Sequence, residues 1–152
     1  MPKIDLDAIA PTNATGYPAE YKGVVAGRWY RRLAPASGLA DFGASHVTLK
    51  PGAWSSQRHW HEEEDELLVM IAGEAMLVDD AGRTPLLPGD VAVFPKADGN
   101  GHCVVNESAA DCVFVVVGQS ANGPCHYPDI DLWVSPALGF RRKDGSAFDQ
   151  ES

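Results

Sequence analysis

Positive charge is scarce in this chain: 12 Lys and Arg stand against 21 Asp and Glu, for a formal net charge of −9. Proteins that grip phosphate backbones carry a basic stripe, so a nucleic-acid partner is not expected. The basic clusters, Arg28, Arg31 and Arg32 and then Arg141, Arg142 and Lys143, read as solvated faces. Long apolar runs are missing as well. None approaches the ~18 residues that span a bilayer, so no membrane partner is expected either. The stretch MPKIDLDAIAPTN has neither the apolar core nor the small-residue cleavage site of a signal peptide, which points to the cytoplasm. Cysteine is limited to Cys103, Cys112 and Cys125, without CxxC spacing, so neither a disulfide framework nor a zinc ribbon is suggested. Free thiols suit the same compartment.

No stretch before residue 127 sustains a helical period. In its place, short β-rich runs recur between turn sequences such as KPGAW, DDAGR, LPGD, ADGNG and NESAAD. The pattern predicts strands over 28–33, 42–49, 58–62, 67–72, 74–79, 84–87, 91–94, 102–106 and 112–118. Many short strands with regular turns imply an all-β sandwich or barrel. The length, 152 residues with 45% hydrophobic and 22% charged, fits a single domain with a real core. Residues 1–27 read as an N-terminal arm, 28–120 as the β domain, and 121–152 as an extended tail packed on it. VFVVVG (113–118) is apolar on both faces, unlike a strand with one face in water. Its outer face is expected to be covered by a second subunit or by the arm.

The densest chemistry lies in QRHWHEEEDE (57–66). Alternation along a strand points His59 and His61 the same way and Trp60 the other, which brings two imidazoles within reach of one cation. A third ligand must come from a neighbouring element. Glu62 faces away from His61. Glu66 opens the apolar strand LLVMIAG and is held rigidly, whereas Glu63, Glu64 and Asp65 read as a solvated turn. By parity, Gln57 points inward beside the histidines, while Leu68 and Met70 share the Glu66 face as a pocket wall. His46 lies on a strand that lines the interior and is a further pocket candidate. Arg58 faces outward, and Trp54, Trp60 and Phe94 are expected to serve packing.

Gly52-x6-His59-x-His61-x4-Glu66-x6-Gly73 resembles the first motif of the cupin superfamily, with one extra residue after the leading glycine. GDVAVFPKADGNGHCVVN resembles the second, with Gly89, Pro95, Gly99, His102 and Asn106 in its places. Three residues, Lys96, Ala97 and Asp98, separate Pro95 from Gly99 where the family usually has one, lengthening a turn near the site mouth. The two motifs cover residues 52–106, and the tail also looks like that of a group of small, uncharacterised single-domain cupins.

The resemblance implies a double-stranded β-helix (jelly-roll barrel) and a metal held by His59, His61, Glu66 and His102. Three imidazoles and a carboxylate suit one divalent transition metal: Fe, Mn, Ni, Zn or Cu. Many small cupins are dimers, so a homodimer is expected. If the protein is an enzyme, the metal would polarise a sugar, organic acid or carbonyl compound, with isomerase, lyase or dioxygenase chemistry following. The alternative is a non-catalytic module that binds or senses a small molecule. The fold does not choose between them, and no general acid or base is named.

Overall fold

A computed structural model describes residues 2–119 and 122–149; the predicted start of the tail at 121 and its end at 150–152 lie outside the described residues. The chain is nearly all β. Five strands, β1 (Arg28–Arg32), β2 (Gly43–Leu49), β4 (Glu66–Ala72), β7 (Val91–Phe94) and β9 (Cys112–Gly118), make one sheet in the order β1-β2-β9-β4-β7. A second sheet has the order β12-β11-β10-β3, from β3 (Trp60–His61), β10 (Cys125–Tyr127), β11 (Leu132–Ser135) and β12 (Gly139–Arg141). The third is β6-β5-β8, from β5 (Ala75–Asp79), β6 (Gly82–Leu86) and β8 (Cys103–Val105). These are jelly-roll sheets rather than a continuously bonded barrel. No helix among the described residues is long and apolar enough to cross a membrane.

Alternation places the core. Val47 and Leu49, Leu68 and Met70, Ala92 and Phe94, and Cys112 and Phe114 all turn inward and meet Val104 in one cluster. Burying a side chain the size of Leu49 or Met70 contributes roughly 1.5–3 kcal/mol. Asn106 is fully buried, yet satisfied. Its amide donates to Leu49 O (2.9 Å) and Ala110 O (2.8 Å), and its Oδ1 accepts from the Ser108 N–H and hydroxyl. It therefore ties the turn between β8 and β9 to the end of β2. Gly73 turns the chain after β4 at φ +70°, and a Cβ there would lie 2.6 Å from Asp111 O. Only glycine fits that approach.

Arm and tail meet in a second core. Tyr17 and Tyr21 from the arm pack with Cys125, Tyr127, Leu132, Phe140 and Phe148 from the tail. The tail is not simply extended, as the sequence suggests; it folds into the antiparallel strands β10, β11 and β12 and adds to β3. The arm pairs at Thr12 with Tyr30, along β1. On the outer face of the five-stranded sheet, Val113, Val115 and Val117 are half-buried, while Val91 and Val93 at the edge are 58% and 66% exposed.

Candidate metal centre

Backbone pairing assembles the histidines. His59 and His102 exchange reciprocal main-chain hydrogen bonds of 3.1 and 2.9 Å, which sets their rings 4.7 Å apart. His61 follows on β3, and the ring centroids of His59 and His61 are 4.9 Å apart. Glu66 starts β4, paired with Phe94 on one side and Gly118 on the other. Phe94 in turn stacks on His102, with centroids 3.6 Å apart. The lengthened turn after Pro95 clamps the ligand loop. Ala97 N–H donates to His61 O (2.8 Å) and Lys96 N–H to Asp65 Oδ1 (2.9 Å). Ala97 takes a positive φ of 59° to do so.

His59 Nδ1–H donates to Gln57 O at 2.9 Å, with Ser56 Oγ 3.2 Å away. That fixes the tautomer and leaves Nε2 as a free lone pair. The two Glu66 oxygens are flanked by His102 Nε2 at 3.4 Å and His61 Nε2 at 3.6 Å. Those gaps are long for charge-assisted hydrogen bonds. The 3.4 Å gap reaches, and the 3.6 Å gap slightly exceeds, the roughly 3.0–3.4 Å between donors that each bind one ion at ~2.1 Å. Ligand atoms of His59, Glu66 and His102 lie within 4.8 Å of one another, and so do those of His59, His61 and Cys125. The donor set can hold a divalent ion.

Electrostatics separate the two neighbouring histidines. Burial, with His102 beside it, pushes His59 down to about 4. Burial also presses on His61, but the Cys125 thiol and the Glu64 and Glu66 carboxylates outweigh it and lift this imidazole to about 12. Burial would raise Glu66, yet the imidazoles of His102, His61 and His59 around it hold it well below the usual carboxylate range.

The sequence-derived candidates divide. His59, His61, Glu66, His102 and Leu68 line one cavity of about 510 Å³, within the range of small-molecule sites. Met70 shares the inward face but sits deeper, 1% exposed in the core. Gln57 does not reach the cavity. Its amide donates to Tyr21 O (3.0 Å) and its N–H to the Tyr17 hydroxyl (3.2 Å), fastening the arm. His46 occupies the outer face opposite Arg31 and Val115, because Val47 takes the inward position. Burial and Arg31 keep its pKa low.

Glu64 corrects the solvated-turn reading. It is 8% exposed, lines the cavity, and brings Oε2 to 2.6 Å from His61 Nδ1, though off the line of a ring hydrogen bond. A carboxylate behind an imidazole orients it and raises its basicity. Glu62 does face away, with Oε1 2.6 Å from His126 Nε2. Arg58 faces outward, gripping both oxygens of Asp129 at 2.7 and 2.8 Å.

Sequence reasoning also missed the rest of the lining, which includes Tyr17, Cys125, Tyr127 and Arg28. Register explains Cys125, since β10 sets it opposite His61. No spacing signal pointed there.

Residues 45–118 match the family model described as a cupin domain. A solved structure from Silicibacter pomeroyi, named a sugar phosphate isomerase from a cupin superfamily, shares 42% identity over 97% of both chains, with a TM-score of 0.91. A cupin 2 conserved barrel domain protein from Salinispora arenicola is 30% identical over 62% of this chain and 76% of its own, with a TM-score of 0.53. The polyketide cyclase RemF from Streptomyces resistomycificus shares the fold, at 20% identity over 86% of this chain and 87% of its own, with a TM-score of 0.70. No curated protein matches the chain.

Proposed function

The chain belongs to the cupin superfamily, and from that premise we propose that it is a cytoplasmic, metal-dependent enzyme acting on a small polar molecule, with isomerisation of a sugar phosphate as its leading case. The observation that carries this reading is the convergence of His59, His61, Glu66 and His102 on one wall of a small-molecule cavity. The 42% identical neighbour named a sugar phosphate isomerase supports the choice of reaction. A predicted oxalate decarboxylase and a polyketide cyclase are 22% and 20% identical, and that likeness shows the fold alone.

His59, His61, Glu66 and His102 would hold the ion, and Glu64 would keep the His61 ring turned towards it. When bound, the ion acts as a Lewis acid on a substrate carbonyl or hydroxyl oxygen. Isomerisation also needs a proton moved between adjacent carbons. Burial pushes the Tyr17 and Tyr127 phenols up, so both stay protonated in the cavity lining. The Glu64 carboxylate lines the same cavity as an acceptor. A non-catalytic binder would keep all these groups and differ only in lacking turnover.

The test is elemental analysis of wild type and Glu66→Ala, followed by aldose and ketose phosphates in D2O with the loaded protein. Near-stoichiometric metal in wild type alone, with deuterium entering next to the carbonyl, supports the proposal. Metal without exchange on any such substrate favours the binder, and no metal after reconstitution overturns the metal-dependent enzyme and leaves the binder. We also propose a homodimer through the outer sheet face. There Leu67, Val69, Val93, Val115 and Val117 lie side by side as an apolar patch that a second copy can match, with His46 and Arg31 at its margin. A monomeric mass in sedimentation at micromolar concentration would refute it.

A further inference from the structure

Strand alternation splits the first basic cluster of the sequence. Arg31 turns to the outer face, where Nε donates to Ile9 O at 2.8 Å and Nη2 lies 4.0 Å from Asp7. Arg28 and Arg32 turn the other way and line the cavity, with Tyr30 between them. Their guanidinium carbons stand 5.2 and 6.0 Å from the Tyr30 ring centroid. The ring thus steadies two cations of like sign side by side.

Arg28 is incompletely satisfied. One Nη1–H donates to Ser55 O at 2.8 Å, while Nε is buried and has no partner. No carboxylate among the described residues pairs with Arg28 or Arg32 within 4.0 Å. In so acidic a chain this is unusual. Arg58 binds Asp129 and Asp80, Arg83 binds Glu107, and Arg142 binds Glu20. A buried guanidinium donor without an acceptor is costly and is explained where a ligand supplies the acceptor.

The position fits as well. Ser55, whose carbonyl holds Arg28, has Oγ 3.4 Å from Ser56 Oγ, which lies 3.2 Å from His59 Nδ1. The guanidinium and the metal-ligand cluster are therefore joined through two adjacent serines and open into one cavity. Guanidinium forks match phosphate oxygens in pairs, and a dianion would offset both cations. We propose that Arg28, with Arg32 at its side, is the subsite that takes the phosphate group of a substrate whose other end sits at His59, His61, Glu66 and His102. The assignment rests on the metal-dependent reading for that other end only.

The experiment is calorimetric titration of inorganic phosphate into metal-free and manganese-loaded protein. It compares wild type, Arg28→Gln, Arg28→Lys, Arg32→Gln and Glu66→Ala, with metal content measured in parallel. The subsite predicts phosphate binding to wild type with or without metal. It also predicts a loss of about tenfold or more in Arg28→Gln, partial recovery in Arg28→Lys, a smaller loss in Arg32→Gln, and retained binding in Glu66→Ala. Arg28→Gln should load metal like wild type. Phosphate binding unchanged in both Arg28→Gln and Arg32→Gln, or present only with manganese and absent in Glu66→Ala, would place the anion elsewhere and overturn the subsite. Acetate binding as tightly as phosphate with the same dependence on Arg28 would overturn the phosphate assignment. Low metal content in loaded wild type would sink the metal reading while leaving the Arg28 comparison to decide the subsite.

Discussion

The two walls of the cavity are built differently and carry opposite chemistry. One wall gathers electron-pair donors: His59, His61, Glu66 and His102, fixed by the reciprocal His59–His102 bridge and by β4 within the main sheet. The rest of the lining gathers proton donors, Arg28 from β1, Tyr17 from the arm and Tyr127 from the tail, while Cys125 from the tail joins the electron-pair donors beside His59 and His61. A polar molecule between them meets a cation site on one side and hydrogen-bond donors on the other. That division suits a substrate with an oxygen to polarise at one end and negative charge at the other.

The contrast is broken most directly at Glu66. Glu66→Ala or His61→Ala should take metal content from near-stoichiometric to near zero by elemental analysis, whereas Arg28→Gln should leave it unchanged. Equal loss in all three would mean that the walls are not separate. Next in size is Phe94→Ala, which removes the ring stacked on His102. It should cost about 3 kcal/mol in urea unfolding and loosen the metal. In the rest of the lining, Tyr17→Phe deletes a hydroxyl that accepts from Gln57 N–H and should cost only about 1 kcal/mol.

Titration sharpens the same contrast within one strand. His59 is depressed to about 4, so it folds neutral and its unfolded form takes up a proton first. Its contribution is intact above the unfolded value near 6.5 and is lost as pH falls towards 4. His61 is raised to about 12, so in metal-free protein its contribution is complete below 6.5 and is lost as pH rises towards 12. Melting of metal-free His59→Gln should lack the decline between pH 6.5 and 4 seen in wild type; an identical decline would reject the assignment. Metal must also displace the His61 proton, so affinity should weaken as pH falls. The smallest effect is expected outside the cavity. Asp129→Asn disturbs the exposed pair with Arg58 and should cost under about 1 kcal/mol at neutral pH.

Much of the fold was legible because alternation and turn chemistry are local. The strands at 91–94 and 112–118 lie where the pattern put them, and the motif spacing marked four residues that the fold brings together. Glu64 was not legible, since a run of acids reads as solvated unless one knows that the turn after Pro95 clamps its loop against the barrel. Gln57 and Met70 have the right parity and still miss the cavity, because parity gives a face but not a depth. His46 fails one step earlier: the sequence does not say which face of β2 is inner, and Val47 takes it.

The sequence by itself determined the strands, the cupin resemblance and the spacing of the metal-ligand residues, all set by interactions within a few positions of the chain. Tertiary structure alone decided what surrounds those residues in the cavity. Arg28 came to line it with a buried Nε and no carboxylate partner because β1 turned it inward, and Cys125 came to stand beside His61 because the tail paired with β3. Such contacts join residues far apart in the chain, and their geometry depends on how sheets and tail close over one core rather than on any local pattern.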